Sequence, residues 1–572
     1  MPEAHQIPQA AFLNYRPIPL SFGTSGLRGL VKDITDLEAY INVKGALRYL
    51  LNIGDISAKS GGVVLAGDLR PSTDRIMRAC AQAILDAGLR VENAGKIPTP
   101  ALVSYAMSTG RAGVMVSGSH IPFDRNGIKL SKCAGEVLKS DEPGILRGVD
   151  QVRAEEYGRS AAASAFNTAG MFKRAPDLPP LDSAAEETYV RRYLDGFNGV
   201  NLAGWRVLVY QHSAVGRDVL TRILRELGAE VLAEGRSDSF IPIDTENITA
   251  AQLDRLGEFA AAAESRGRPL DAIVSTDGDS DRPLVSALLP SGALHSDGRR
   301  VRFLPGDLLG IVVAEYLGAD AAAVPISAND AVERRMNERG VLLEKTQIGS
   351  PYVVAAVDRL LRAGNQTVVG WEANGGFLTG SDIRLSAGTL PALPTRDATL
   401  PILANLFAAA ERGIGLAALW DRLPARFGAA GLLDDFPVAA SRAILSRLLP
   451  AGQAVEVEFD GAGGVLDRSR AGATEYAALE PPAAADWRRC RETLSRFFTP
   501  AAGFADIARI NALDGLRIYF RDGDVAHIRP SGNAPQLRVY ANSDSQARAD
   551  RIVELALEEP HGILRQLERA FA

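Results

Sequence analysis

The stretch Val114-Met-Val-Ser-Gly-Ser-His-Ile-Pro-Phe-Asp-Arg-Asn-Gly-Ile-Lys129 decides how this chain is read. An apolar strand ends in Ser117, Gly118, Ser119 and His120. Such small residues allow a sharp turn that presents one hydroxyl. Asn126-Gly127 reads as a second turn that sends the chain back, with Lys129 close to it. A hydroxyl, an adjacent imidazole and an ammonium are the parts that phosphoryl transfer through a serine requires. A serine in a glycine-containing turn is more often structural, so the segment needs support from elsewhere in the chain.

Three further segments supply that support. Leu270–Ser275 reads as a short buried strand and runs into Thr276-Asp-Gly-Asp-Ser-Asp-Arg-Pro283. Asp277, Asp279 and Asp281 stand at alternate positions, and in extended chain alternate side chains share one side. Three carboxylates on one side repel unless a hard cation sits among them, and magnesium suits such ligands. An EF-hand is excluded, because its sixth and twelfth positions would be Arg282 and Leu288 rather than Gly and Glu. The second segment, Arg529-Pro-Ser-Gly-Asn533, joins two strand-like runs, Val525–Ile528 and Leu537–Tyr540, and follows a hairpin signal, Arg521-Asp-Gly-Asp524. An Arg fork, Ser and Asn side chains and free backbone N–H groups there suit a phosphate. The third, Ser21-Phe-Gly-Thr-Ser-Gly-Leu-Arg-Gly29, is glycine-rich but lacks the spacing and lysine of a P-loop, which argues against nucleotide binding.

Taken in chain order, Phe22–Gly29, Ser117–Pro122 with Asn126-Gly-x-Lys129, Asp277–Arg282, Glu372-Ala-Asn-Gly375 and Arg529–Asn533 resemble the α-D-phosphohexomutases, the superfamily of phosphomannomutase and phosphoglucomutase. Lesser matches are Gly67-Asp-Leu-Arg-Pro-Ser72, Pro98-Thr-Pro-Ala101, Gly306-Asp307, Ser327-Ala-Asn329 and Thr346-Gln-Ile-Gly349. The resemblance spans nearly the whole chain. It implies that Ser119 carries a phosphate. It also implies that Ser119, Asp277, Asp279 and Asp281 bind one Mg2+, and that Arg28, His120, Lys129 and Arg282 surround the transferring group. Lys129 is implied as acid/base, and Glu372 and Asn374 as contacts to the sugar. Thr346 and Gly349 join the implied substrate site, and Arg529, Ser531, Gly532 and Asn533 hold the non-reacting phosphate. A hexose 1,6-bisphosphate is the implied intermediate and activator.

The chain departs from the family at several points. Ser117, Gly118 and Ile121 replace the frequent Thr, Ala and Asn around the serine. Trp371 precedes Glu372, Asn374 replaces Ser, and Gly376 stands where a histidine is frequent. Gly375-Gly376 therefore reads as open space beside the sugar ring, which favours acceptance of both mannose and glucose phosphates. Phosphoglucosamine mutase is the nearest alternative. A catalytically quiet sugar-phosphate-binding regulator and a magnesium phosphatase are rivals of other classes.

Length and composition agree. The chain has 572 residues, 46% apolar and 23% charged, with net charge −6 and three cysteines without metal spacing. Such a balance fits a soluble multidomain protein. It argues against general nucleic-acid binding. No leader pattern or membrane-spanning run is apparent, so the expectation is a cytoplasmic protein, monomer or homodimer, that meets small sugar phosphates.

Strand-like runs alternate with helical stretches: Val63–Ala66 before Thr73–Ala87, Trp205–Tyr210 before Val215–Leu227, Ala322–Ile326 before Ala331–Glu338. This pattern predicts α/β architecture. With the resemblance it gives three similar α/β domains with mixed sheets (1–186, 187–302, 303–436) and a smaller C-terminal α+β domain (437–572) around a central cleft. Asp486–Phe498 is read as an amphipathic helix with Trp487, Cys490, Leu494 and Phe497 on its core face.

Overall fold

The computed structural model describes residues 8–23, 26–57, 61–290, 292–295, 297–386, 388–452, 454–460, 463–469, 476–530 and 535–571. Chain contacts group into two compact units, Met1–Ala319 with Gly349–Trp420, and Asp320–Ile348 with Asp421–Ala572.

The first unit opens with strands β1 (Ser21–Phe22), β2 (Leu27–Leu30), β3 (Gly62–Gly67), β4 (Arg90–Lys96), β5 (Ala112–Val116), β6 (Arg125–Lys132) and β7 (Gly135–Glu136). Their order is β1-β2-β6-β5-β3-β4, with β7 on β6. The β3 strand pairs parallel to β4 and β5, whereas β6 runs antiparallel to β5 and β2. Every residue of β3 and β5 is buried, as expected of parallel strands covered by helices. Helix Thr73–Asp86 follows β3 as its apolar spacing predicts. Helix Asp36–Asn52 begins at Thr35, whose hydroxyl accepts the Glu38 N–H at 3.3 Å.

A second sheet holds β8 (Arg206–Tyr210), β9 (Glu230–Glu234), β10 (Ala272–Thr276), β11 (Pro283–Leu288) and β12 (Val301–Phe303) in the order β12-β11-β10-β8-β9. Parallel β8, β9 and β10 alternate with helices Arg217–Glu226 and Ala250–Glu264. The β10–β11 pair is an antiparallel hairpin, and its connection carries the aspartates.

Also in the first unit, Val368–Trp371 pairs antiparallel with Phe377–Thr379, which pairs in turn with Leu393–Asp397. Trp371 is fully buried and donates its indole N–H to the Asp307 carbonyl at 3.1 Å, fixing the strand that leads to Glu372. Helix Ala184–Gly196 follows Ser183. Its Tyr189 and Tyr193 both donate to the Asp397 carboxyl, which also accepts the Leu400 N–H at 2.9 Å. Burial and the nearby Asp397 raise both phenols well above their usual range, so they remain donors.

The second unit is built on a seven-stranded antiparallel sheet with Phe427–Leu433 at one edge, paired along its length with Leu537–Ser543. The expected hairpin Leu516–Phe520/Val525–Pro530 lies inside it. Helix Pro481–Leu494 puts Trp487, Cys490 and Leu494 in the core, with Phe497 packed against it. The parallel pair Ala321–Pro325/Leu342–Thr346 joins this unit through ion pairs. Glu333 takes Lys345 at 2.7 Å and Arg509 at 2.6 Å.

Tyr193→Phe removes one donor from a buried carboxyl. It should lower the free energy of unfolding by about 1–3 kcal/mol, read from the urea midpoint at unchanged slope.

Candidate active site

Ser119 sits just past the end of β5 with φ of 55°, a left-handed conformation uncommon for a residue with a side chain. Such a backbone costs about 1–3 kcal/mol and persists only where its surroundings impose it. Those surroundings are visible. Ser119 N–H donates to Ser117 Oγ at 2.8 Å, and Ser117 Oγ donates to the buried Asp68 at 2.9 Å. Arg70 donates to Asp68 and to the carbonyls of Ser119, Ile121, Pro122 and Arg125, at 2.5–3.1 Å. Its guanidinium lies over the Phe240 ring at 3.9 Å. Five N–H groups thus meet five acceptors, and one arginine moulds the whole serine loop.

The turn expected at Asn126-Gly127 is not there. Both residues lie within β6, opposite Gly29 and Arg28 of β2. Ladder pairing on both sides of β6 overrides local turn preference. The reversal falls earlier, where Ile121 N–H reaches the Gly118 carbonyl at 3.3 Å and Arg125 N–H the Pro122 carbonyl at 3.2 Å. Lys129 nonetheless reaches the site, from the strand rather than from a turn.

The aspartates converge for a reason other than the one expected. The 277–281 segment is a coiled connection, not extended chain: Ser280 has φ of 59°, and its N–H bonds back to the Asp277 carbonyl at 3.2 Å. The coil still brings one carboxylate oxygen from each of Asp277, Asp279 and Asp281 within 4.8 Å of the others. All three are buried. Ser119 Oγ donates to Asp277 at 2.6 Å. Lys129 Nζ donates to Asp279 at 2.5 Å and to Asp281 at 2.8 Å, and Thr99 Oγ1 donates to Asp279 at 2.6 Å.

Charge is divided unevenly across this cluster. Burial and the two neighbouring carboxylates push Asp277 well above the usual carboxyl range. Burial pushes Asp279 and Asp281 the same way, but the cations opposite overcome it and hold both low: Lys129 for Asp279, Arg396, Lys129 and Arg282 for Asp281. Lys129 is pulled down by burial and raised further by the same two aspartates, so it carries its proton here. Oδ1 of Asp279 and Oδ1 of Asp281 are buried without a hydrogen-bond partner. Two orphaned carboxylate oxygens facing a third carboxyl are a donor set that fits a hard divalent cation.

Arg282 stands nearby with its Nε unbonded and its carboxylate neighbours Asp281, Asp244 and Asp277 no closer than 3.7–4.0 Å. Burial and the guanidiniums of Arg282 and Arg28 push His120 down to about 2. It is therefore a neutral ring, with Nδ1 3.4 Å from Ser119 Oγ. Arg28, on β2, is lowered by burial and by Arg282 and Arg396. A pocket adjoins the cluster, with Lys129, Asp281 and Arg396 among its walls.

The 372–376 connection is closed by Gly375 N–H to the Glu372 carbonyl at 2.8 Å and by Gly376 N–H to Asn374 Oδ1 at 2.9 Å. Glu372 is buried, and its Oε2 accepts from Arg396 Nη1 at 2.9 Å. Arg396 Nη2 donates to Asp281 Oδ2, also at 2.9 Å. The open space expected at Gly376 is filled: a Cβ built there would lie 2.7–2.9 Å from Cδ, Cγ and Cβ of Arg396. Sequence reading missed Arg396 and gave Arg70 no role. The missing histidine at Gly376 was the only signal that another side chain belonged there.

In the second unit, Asp514 binds Arg529 Nε at 3.0 Å and the Ile348 N–H at 2.9 Å, while Thr346 Oγ1 donates to the Gln347 carbonyl at 2.7 Å. Ser531, Gly532 and Asn533 lie outside the described residues, as do Thr24 and Ser25. Gly349, with φ of 131°, precedes helix Ser350–Arg362 of the first unit.

Three family models match this chain. Phosphoglucomutase/phosphomannomutase alpha/beta/alpha domain I matches residues 19–156, domain III residues 305–427, and the C-terminal domain residues 470–559. The chain belongs to the phosphoglucomutase/phosphomannomutase family of α-D-phosphohexomutases, and it is a mutase of that class. A phosphomannomutase of Sinorhizobium fredii is 36% identical over 94% of this chain and 98% of its own length, and one of Salmonella muenchen is 34% identical over 94% and 95%. A phosphoglucosamine mutase of Thermobifida fusca is 30% identical over 78% and 90%. The fold is shared with a phosphoglucomutase/phosphomannomutase family protein of Burkholderia thailandensis (TM-score 0.61, 19% identity, 99% and 98% covered). It is shared too with an Aspergillus fumigatus N-acetylphosphoglucosamine mutase solved with GlcNAc-6P and magnesium (TM-score 0.54, 13% identity, 99% and 97% covered). No described helix is long and apolar enough to cross a membrane.

Arg70→Ala leaves Asp68 buried without its cation and frees the serine loop. We expect a loss of about 3–5 kcal/mol in unfolding free energy together with a fall in turnover. Arg70→Lys should recover little of either, since one ammonium cannot serve five acceptors.

Proposed function

We propose that this mutase interconverts hexose 1-phosphates and 6-phosphates, with mannose and glucose as its sugars, through a phosphate carried on Ser119. The observation that carries this reading is the buried Ser119 hydroxyl 2.6 Å from Asp277, with Lys129 bonded to the other two aspartates of the same loop. Phosphomannomutases at 34–36% identity support mannose, and the more distant phosphoglucosamine mutases make glucosamine the second choice.

In the forward half, a sugar hydroxyl attacks the phosphorus on Ser119, the bond from phosphorus to Oγ breaks, the hydroxyl proton passes to the departing Oγ, and a bisphosphorylated sugar forms. That sugar turns over. In the return half Ser119 Oγ attacks its other phosphate, and the released sugar oxygen takes back a proton. Lys129 is suited to return that proton, since it is charged and buried beside the loop. Arg282, whose nearest carboxylates are too distant for hydrogen bonds, is suited to accept phosphoryl oxygens, with Arg28 and neutral His120 beside it. Magnesium held by the free oxygens of Asp279 and Asp281, by Asp277 and by Ser119 would neutralise charge on the transferring group and weaken the hold of the carboxylates on the Lys129 proton. Glu372 and Asn374 are proposed contacts to sugar hydroxyls. Thr346, Gly349, Arg529, Ser531, Gly532 and Asn533 are proposed substrate contacts on the sequence resemblance. A reducing, cytoplasmic setting fits the three free cysteines.

Isomerisation assays with mannose, glucose and glucosamine 1-phosphates, primed with a trace of the matching 1,6-bisphosphate, test the reading. The first two should turn over, and Ser119→Ala should lose activity by a factor on the order of 10⁶ while still binding sugar phosphate. Net release of inorganic phosphate without isomerisation would make the enzyme a phosphatase instead. Chelation should stop turnover and added magnesium restore it, and Asp279→Asn should raise the magnesium concentration needed for half-maximal rate.

A further inference from the structure

We propose that Arg396 is a positioning residue that occupies, from a different strand, the space of the histidine its family often places in the sugar loop, and that its grip on Glu372 and Asp281 couples sugar binding to cation binding. The inference rests on the functional reading above and adds a residue that neither the motifs nor the comparisons assign.

The geometry is specific. Arg396 projects from Leu393–Asp397, a strand tied down at its end by the Asp397 bonds to Tyr189 and Tyr193. Its side chain is 3% exposed. The two ends of one planar fork each take a different carboxylate at 2.9 Å: Nη1 takes Glu372 and Nη2 takes Asp281. A lysine has one point of charge and cannot bridge two carboxylates with a rigid fork. The Nη2 bond joins the Lys129 bond on the same atom, Oδ2 of Asp281. The carboxylate is thereby rotated so that Oδ1 is left free, beside the free Oδ1 of Asp279. Arg396 thus sets the angle of one cation ligand and the position of one sugar contact with a single rigid group.

Gly376 completes the arrangement. Its φ lies outside the left-handed region, so glycine is not required there for the backbone. It is required for space, because any Cβ would strike the Arg396 methylenes at 2.7–2.9 Å. Contacts this short force either the arginine or the loop to move. Positions 376 and 396 are therefore one unit: a side chain can stand at the first only if the second is small. Because the fork bridges two sites, a cation that shifts Asp281 also shifts Glu372, and a sugar that shifts Glu372 also shifts Asp281. Coupling of this kind is reciprocal by thermodynamic necessity.

Calorimetric titrations of Mg2+ with and without saturating mannose 6-phosphate, on the parent protein and on Arg396→Lys, read the coupling directly and need no turnover. The parent should bind Mg2+ about five-fold or more tightly with the sugar phosphate present, and that ratio should approach one in Arg396→Lys. Kinetics on Gly376→Ala, Arg396→Ala and the double variant give a second, independent readout. Each single change should lower kcat by about 10²-fold through misplacement of the loop, whereas Gly376→Ala should cost little more once Arg396 is already alanine. Melting temperatures of Arg396→Lys and Gly376→Ala identify any loss that is merely unfolding. An unchanged coupling ratio in Arg396→Lys, or costs that simply add in the double variant, overturns the proposal. A parent that shows the coupling but no isomerisation overturns the functional reading and leaves Arg396 in place. A parent that isomerises without coupling does the reverse.

Discussion

Everything in the first unit's site depends on one electrostatic constraint: three carboxylates from a six-residue connection are buried together. Burial alone would force such groups to take up protons. Here Lys129 and Arg396 hold two of them ionised from outside the connection, and the third, Asp277, accepts the hydrogen bond of the serine hydroxyl at 2.6 Å. The placement of the strands follows from this. The antiparallel β6 strand delivers Lys129, the β10–β11 hairpin delivers the aspartates, and Leu393–Asp397 delivers Arg396. Remove either cation and an uncompensated charge remains in the interior, which is the costliest kind of polar error a fold can contain.

The serine loop obeys a second constraint, of shape rather than charge. A left-handed serine is paid for by the arginine that stitches four consecutive or near-consecutive carbonyls to Asp68. Strain and scaffold are separate parts of the chain, more than forty residues apart in sequence. The Ser119 loop is therefore held by an element that lies outside it.

Much of this was legible because the candidate site residues cluster in short segments. Ser119, His120 and Lys129, and the three aspartates, announce themselves by residue type and spacing, and the α/β alternation follows from buried strands such as Gly62–Gly67 and Ala112–Val116. What stayed hidden has physical reasons. Asn126-Gly127 carries turn residues but is captured by the ladder to β2, with the Ser117 N–H bonded to the Gly127 carbonyl on the other side. The coil of 277–281 depends on a left-handed Ser280, which residue type does not reveal. Phe427–Leu433 is mostly small residues with weak strand preference, so its pairing with Leu537–Ser543 left no local trace. Arg396 sits in an ordinary strand, and its role exists only through partners 24 and 115 residues away.

The hydrogen bond from Ser119 to Asp277 has a consequence for the life cycle of the protein. A hydroxyl donates there, whereas a phosphate can only accept. If Ser119 carries the proposed phosphate, that donated bond is lost in the phosphorylated form, which also brings about two units of negative charge into the interior. On that proposed reading the bare chain is a latched, dormant species. On the same reading, its wait for a phosphoryl donor is written into the short bond that holds the Ser119 hydroxyl in place.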